Sequence, residues 1–367
     1  MTTDFLDKKL NERKQNHSLR SLTLKGNDMI DFCGNDYLGI VKNKLIEQLM
    51  TPRLSHGSTG SRLLSGNYEL IEETEKAIAD FHQAEAGLIF NSGYDANTGL
   101  LSCAARKNDT IIYDQLSHAS LRDGIRLSFA NSFSFFHNDI KDLEKKLKSV
   151  NNDHQKFVVT ESIFSMDGDM APLKEISDLC EKFDAALIVD EAHATGVIGS
   201  KGEGLVQQLN LQDKCLARIH TFGKACGVHG AIVLGSEKLK KYLINFSRQF
   251  IYSTALPPAS VEAITISYKI FPSMQKERNH LQELTQIFNK HVSKLNILKS
   301  QTPIQAVIIP GNEEVKSIAK LSHEKNFDVR PILYPTVPKG QERLRIVLHA
   351  FNTVDQVKGM LHLLEEK

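Results

Sequence analysis

The sequence has little that would direct it to a membrane, a nucleic acid or an oxidising compartment. No apolar run reaches the ~18 residues that a spanning helix needs. The start, MTTDFLDKKLNERKQNHSLR, is too charged for a signal peptide. Formal net charge is +1, so no bulk field selects nucleic acid or an anionic lipid surface as a partner. The five cysteines (Cys33, Cys103, Cys180, Cys215 and Cys226) are scattered and form no CxxC pair. That usage fits reduced thiols, mostly packed inside a soluble cytoplasmic protein, with no metal site expected. Two glycine fingerprints are missing as well. No GxGxxG follows an apolar run, which disfavours a nicotinamide-dependent oxidoreductase. The nucleotide loop GxxxxGK followed by Ser or Thr is also absent. The one Gly-Lys pair, Gly223-Lys224, has Arg218 at the loop's first glycine position and Ala225 at its hydroxyl position.

What is present is an ordinary globular composition on a long chain. Of 367 residues, 41% are hydrophobic and 24% charged. Single cores rarely grow much beyond about 250–300 residues, so a large domain with a smaller satellite is expected. The texture divides into an N-terminal helix and hairpin segment (1–45), a large α/β domain (46–250) and a small α+β domain (251–367). No internal repeat or low-complexity tract is present.

The stretch AALIVDEAHATG, residues 185–196, is the centre of the pattern. Ala185 to Val189 is a short apolar run without alternation, as in a strand buried on both faces. It ends in Asp190, Glu191 and His193. In open α/β sheets, ligands sit at the carboxyl ends of the strands, so these polar groups are placed to hold one. The letters DEAH also occur in helicases, but that reading needs the missing nucleotide loop. A strand-end Asp that only caps the next helix is the plain alternative.

The rest of the chain supplies company for Asp190. Phe5, Leu6 and Leu10 among charges suggest an amphipathic helix over 4–19. SLTLKGNDMIDF reads as a hairpin turning at Lys25-Gly26-Asn27-Asp28, and NDYLGI leads into a helix near 42–50. HGSTGSRLLSGN, with Gly57, Gly60 and Gly66, is either a loop that approaches a ligand or a plain flexible one. A helix over YELIEETEKAIADFHQ precedes the strand AGLIF (86–90). That strand runs through Ser92-Gly93-Tyr94 into the helix-like NTGLLSCAAR. Backbone N–H groups at a helix start make a ready anion site, and a single phosphate suits it. TIIYD (110–114) ends at Asp114 and SHASLRDG starts the next helix; a lone His118 is more often structural. KDLEKKLKS (141–149) is a solvated helix. A strand over 157–160 ends in Glu161 and Ser165, before the helix LKEISDLCEKF. Strand and helix alternate from 86 to 235, the doubly wound, mostly parallel α/β signature. In ARIHTFGKACGVHGAIVLG, Lys224 lies in a glycine-flanked turn between two strand-like runs. It reads as a buried amine of depressed pKa or as a snorkelling surface lysine. Beyond about 255, ALPPASVEAITISYKIF and 276–299 read as helices, and QAVIIP, FDVRPILYP and RLRIVL as strands.

In order, NDYLGI, GSTGSRLLSG, FNSGYDAN, SHASLRDG, ESIFSMDGDMAPL, VDEAHATGVIG, HTFGKACG, YSTALPP and PTVPKGQERLRI cover nearly the whole chain. Together they resemble the α-oxoamine synthases, pyridoxal-phosphate enzymes of the aspartate-aminotransferase fold type I. The resemblance implies a seven-stranded, mostly parallel sheet flanked by helices, plus the small α+β domain. It implies that Lys224 carries the cofactor aldehyde and later acts as base on the substrate Cα. Asp190 would pair with the pyridinium nitrogen, His193 with the ring O3′, and His118 would stack on the ring face. Gly93 and Tyr94 would hold the phosphate, with Ser165 and Thr221 nearby. Ser253 and Thr254 would reach the phosphate of a second subunit, which implies a homodimer with shared sites. Arg345 would grip the amino-acid carboxylate, a role suited to a bidentate guanidinium. Arg20 and Thr336 match positions that contact substrate.

Within that family the chain is most similar to the branch that joins L-alanine to a pimeloyl thioester, carried on CoA or on acyl carrier protein, with loss of CO2. Glycine-using and serine-using relatives are the alternatives. A catalytically silent subunit is disfavoured, because Lys224, Asp190 and His193 are all present.

Overall fold

A computed structural model describes residues 3–22, 24, 28–52, 54–150, 153–290 and 295–366. Contacts divide the chain into two compact units. The larger comprises Leu38–Ser165 and Met170–Arg278, the smaller Met1–Tyr37, Met166–Asp169 and Asn279–Lys367. These units run differently from the segments expected at 45 and 250. The N-terminal residues belong with the C-terminal ones because β1 (Ile30–Asp31) hydrogen-bonds in parallel with residues 327–328. The helix over 258–270 belongs to the larger unit, where it packs on the helix over 69–81.

In the larger unit, α2 (Glu69–Phe81) leads to β2 (Ala86–Phe90) and α3 (Gly93–Ala104). β3 (Thr110–Asp114), α4 (Ala119–Leu127), β4 (Asn131–Phe135) and α5 (Ile140–Ser149) follow. Then come β5 (Lys156–Glu161), α6 (Leu173–Lys182), β6 (Ala185–Asp190), the short α7 (Leu205–Gln208), β7 (Cys215–Thr221) and β8 (Ala231–Gly235). Helices α8 (Glu237–Phe246), α9 (Arg248–Ile251) and α10 (Pro258–Ile270) complete it. The seven strands form one sheet in the order β2-β8-β7-β6-β5-β3-β4, and only β8 runs antiparallel to its neighbours. Helices cover the faces, so β2 and β5 are buried at every position; β2 (AGLIF) and the Phe157–Val159 centre of β5 read as apolar runs rather than alternations. Leu88, Ile111, Val159, Ile188, Ile219 and Val233 from the sheet pack with Leu100, Leu101, Leu121 and Ile125 from α3 and α4. Burying one such side chain stabilises the fold by about 1.5–3 kcal/mol. Asp139 starts α5 by accepting the N–H groups of Lys141 and Asp142 at 2.9 and 3.0 Å, a capping arrangement.

The smaller unit contains α1 (Asp4–Gln15), β1, β9 (Ile304–Ile308), α12 (Asn312–Glu324), β10 (Phe327–Asp328), β11 (Arg330–Ile332), β12 (Arg343–Val347) and α13 (Val354–Glu365). The helix α11 (Gln275–Asn289) enters it. β11, β12 and β9 form an antiparallel sheet. Thr353 and Gln356 close a capping box at the start of α13.

Several local expectations change. Residues 41–49 form consecutive turns, not a helix; Lys44, at φ 50°, is left-handed and breaks the run. Lys25, Gly26 and Asn27 of the expected hairpin turn lie outside the described residues, and the second arm pairs with β10 instead. Helix α3 begins at Gly93, earlier than its apolar run, because Ser92 caps it. The charged helix expected over 276–299 ends at Asn289, and 291–294 are outside the described residues. β4 gave no apolar signal because it is an edge strand with four exposed positions. None of α1's residues is buried. Among the described residues, no helix is long and apolar enough to cross a membrane.

Helices α3 and α4 carry two groups of candidate ligands and cross closely at Gly124. A Cβ there would lie 2.9 Å from Asn97 O, 2.9 Å from Leu101 Cβ and 3.0 Å from Thr98 Cα. Gly124→Ala gains about 1 kcal/mol of helix propensity. Two backbones must part to admit the methyl group, so a net loss of about 1 kcal/mol or more is expected in urea unfolding. An unchanged or higher midpoint would show that the crossing has room.

Candidate active site

Parallel register brings the candidates together. Strands β2, β3, β5, β6 and β7 run in one direction, so their carboxyl ends lie along one edge of the sheet. Just past those ends follow Gly93 and Tyr94, His118, Ser165, His193, and Lys224 in that order. Asp190 and Thr221 are themselves the last residues of β6 and β7. Ligands of open α/β sheets bind at such an edge.

Asp190 is 5% exposed. Its Oδ1 accepts the Ala192 N–H at 2.8 Å, and its Oδ2 accepts Asn97 Nδ2 at 2.7 Å. Asn97 also donates to Ser120 Oγ at 2.9 Å, and Ser120 Oγ lies 2.7 Å from His118 Nδ1. The His118 backbone N–H donates to Glu161 Oε1 at 2.6 Å. Glu161 and Asp190 are direct partners across β5 and β6. Burial first, then the neighbouring Asp190 charge, pushes the Glu161 carboxyl up to about 8; Lys224, the His118 N–H and Asp114 act in smaller measure. His118 as a residue is exposed, yet desolvation of its imidazole, and then Lys224, hold its pKa below the usual value against the pull of Asp190 and Asp123. His193 is buried, and Ser165 and Lys224 are half-buried.

The anion site has its own geometry. Ser92 caps α3, its Oγ accepting the Asp95 N–H at 3.0 Å. A Cβ at Gly93 would collide with Thr221 Oγ1, so only glycine leaves the helix start and that hydroxyl side by side. Tyr94 turns outward and donates its phenol to Asp123. Ser253 and Thr254 follow α9; the Thr254 carbonyl accepts Asn91 Nδ2 at 2.9 Å, and both residues line a small cleft with Arg62 and Phe90. Lys224 lies in the β7–β8 turn, closed by Gly227 N–H to Lys224 O at 2.8 Å and Phe222 N–H to Gly230 O at 2.9 Å.

The remaining candidates belong to the smaller unit. Arg20 Nη2 donates to Thr336 Oγ1 at 3.0 Å, so the two expected substrate contacts stand together, in a groove also lined by Arg13, Lys316 and Arg330. Arg345 Nη2 donates to Asn35 Oδ1 at 3.1 Å. Glu191 plays a different part. Its Oε1 accepts the N–H groups of Leu205 and Val206 at 3.0 and 3.2 Å, and burial raises its carboxyl to about 7. It ties the start of α7 to the strand end.

Asn97, Ser120 and Glu161 were not singled out as ligand-site residues by the sequence. Asn97 left one trace, a polar residue on the buried side of α3 one helical turn beyond Gly93. Glu161 left another, an acid closing an apolar strand.

The arrangement fits pyridoxal phosphate, the cofactor the sequence resemblance implies. It offers a glycine-lined helix start for a dianion, a half-buried amine for an aldehyde, a fixed carboxylate for a cationic ring nitrogen and an open imidazole face. The comparisons with known proteins agree. The family profile described as aminotransferase class I and II matches residues 27–363. The chain belongs to that family. It is 38% identical over 342 residues to an 8-amino-7-oxononanoate synthase from Lysinibacillus sphaericus, covering 92% of this chain and 88% of the relative. An 8-amino-7-oxononanoate synthase from Emericella nidulans is 37% identical over 389 residues, covering 98% and 94%. Among solved structures, serine palmitoyltransferase from S. paucimobilis with a bound PLP-myriocin aldimine aligns with TM-score 0.90 at 26% identity, covering 99% of this chain and 96% of that one. The crystal structure of 8-amino-7-oxononanoate synthase from Francisella tularensis aligns with TM-score 0.78 at 29% identity, covering 93% and 98%.

Glu161 links the site to pH. Its folded pKa, about 8, lies above the ~4.3 of an unfolded glutamate. The folded state therefore holds the proton more tightly, and the stability it contributes is full below ~4.3 and lost as pH rises through about 8. Glu191 acts in the same sense. Cofactor-free Glu161→Gln keeps the acceptor but cannot titrate, so between pH 5 and 9 it should lose less stability than wild type, by at least ~1 kcal/mol. Parallel stability–pH curves in urea unfolding would contradict the raised pKa.

Proposed function

We propose that the protein is a pyridoxal-phosphate-dependent acyltransferase of biotin biosynthesis, an 8-amino-7-oxononanoate synthase that condenses L-alanine with a pimeloyl thioester and releases thiol and CO2. The observation that carries this reading is the strand-end set Asp190, His193 and Lys224, in a chain whose relatives at about 38% identity bear that name. Pyridoxal phosphate, when bound, supplies an electrophilic aldehyde and an electron sink.

The chain's own residues do the rest. Lys224 provides the amine that receives the cofactor and, once displaced by the amino acid, the base that takes the Cα proton at Nζ. Asp190, already held by Asn97, keeps the ring nitrogen protonated. His193 and His118 orient the ring. Gly93 and Tyr94, at the start of α3, hold the phosphate, with Ser165 and Thr221 contributing nearby. Arg345 takes the amino-acid carboxylate, and Arg20 and Thr336 meet the acyl substrate. The protein acts in the cytoplasm as a homodimer in which Ser253 and Thr254 serve the partner's phosphate.

Shape supports a second reading, a serine palmitoyltransferase, because that enzyme aligns with the higher TM-score. A matrix of L-alanine, glycine and L-serine against pimeloyl-CoA, pimeloyl-acyl carrier protein and palmitoyl-CoA, read by thiol release, decides between them. The expected result is turnover with L-alanine and a pimeloyl thioester at least tenfold above any other pair. Preference for serine with the long chain would replace this reading with the second.

Lys224→Ala should lower that turnover by at least roughly 10²-fold, the usual worth of a positioned base, while urea unfolding stays near wild type. Asp190→Asn should weaken cofactor binding, measured by equilibrium dialysis, because an amide cannot balance a pyridinium charge. Unchanged turnover or unchanged affinity would remove the assigned role.

A further inference from the structure

The groups behind His118 fix the position of its proton. A carboxylate has no hydrogen to give, so the side of the Asn97 amide that lies 2.7 Å from Asp190 Oδ2 is its NH2 group. The second N–H of that group points to Ser120 Oγ at 2.9 Å. Ser120 Oγ accepts there, and its own hydrogen is left for His118 Nδ1 at 2.7 Å. The Ser120 backbone N–H points to the same nitrogen at 3.3 Å. Two donors converge on Nδ1, and a proton on that atom would face both of them.

We propose that Asn97 and Ser120 are positioning residues that hold His118 as the neutral tautomer protonated on Nε2. The ring then has one N–H donor, at Nε2, for an acceptor oxygen of a bound ligand, and Nδ1 is closed to proton transfer. The polarity originates in Asp190: its carboxylate sets the amide, the amide sets the hydroxyl, and the hydroxyl sets the imidazole. One carboxylate thereby both serves as the ring-nitrogen partner and orders the stacking residue. That last assignment of roles rests on the proposed function; the tautomer does not.

The charged groups facing His118 come from four directions. Asp190 on β6 and Asp123 on α4 favour the imidazolium, and Lys224 after β7 opposes it. Glu161 on β5 takes only the backbone N–H. Donors on Nδ1 add to the neutral side, because a hydrogen bond made only to the neutral form disfavours the charged one.

The test is nitrogen NMR of cofactor-free protein labelled with 15N-histidine near neutral pH, with His118→Gln identifying the His118 signals. The expected spectrum has an unprotonated Nδ1 and a protonated Nε2. In Ser120→Ala the hydroxyl donor is gone, so a mixture of tautomers and an upward shift of the His118 titration midpoint are expected. Ser120→Thr keeps a hydroxyl and should restore the wild-type signature. A proton on Nδ1 in the wild type overturns the proposal, and so does a Ser120→Ala spectrum with unchanged tautomer and midpoint. Should Ser120→Ala fail to fold, the wild-type tautomer and its retention in Ser120→Thr decide alone. The measurement needs neither cofactor nor substrate. Absent thiol release would count against the function and leave the tautomer standing.

Discussion

A carboxylate at the end of a strand buried on both faces has to be met by donors, and Asp190 meets that condition within its own sheet and the helix above it. Burying a charge without partners costs several kcal/mol. Asp190 therefore draws the Ala192 N–H from the turn after β6 and the Asn97 amide from α3. The second demand is the stronger constraint on the fold. Asn97 reaches Asp190 only if α3 lies close over the sheet, and α3 lies close to α4 because Gly124 has no side chain to hold them apart. The helix start at Gly93 and the imidazole of His118 are fixed by the same packing. Gly93, Asp190 and His118 are thus parts of one mechanical unit.

Parallel register adds an electrostatic consequence. Adjacent strands end in Glu161 and Asp190, side by side, and two buried acids at that spacing do not both ionise easily. Burial first, and then the neighbouring Asp190 charge, raise the Glu161 carboxyl to about 8 although it accepts the His118 backbone N–H. The cation of Lys224 is felt by Glu161 and by His118 alike, lowering both. A group that takes up the Lys224 amine would remove that influence, so occupancy of the lysine and the protonation of its neighbours are linked.

The letters DEAH show how far a motif is readable. Asp190 and His193 carry the expected placement at the strand end. Glu191 between them faces away and ties down α7 through the Leu205 and Val206 N–H groups. Adjacent residues past a strand end point in different directions, and nothing in the four letters says which turns to the ligand. The smaller unit behaves in the same way. Arg20 and Thr336 were separate, short matches, and the fold makes them hydrogen-bond partners; Arg345 acquires Asn35, from the NDYLGI block, as its partner.

The sequence by itself determined the strands of the large sheet, because a strand covered on both faces must be apolar at successive positions, and AGLIF, TIIYD and AALIVD show that directly. It also determined the residues that interrupt those runs, since an acid, imidazole or amine closing an apolar segment is a local event. It did not determine β4, whose exposed edge needs no apolar pattern, or the turns after Gly39, where a left-handed Lys44 stops what composition alone reads as helix. Only the tertiary structure decided that Asn97 and Ser120 join Asp190 to His118 and that Glu161 lies beside Asp190. Those contacts connect residues far apart in the chain, and their hydrogen-bond direction and shared electrostatics exist only once strand order and helix packing have brought the groups within about 3 Å of one another.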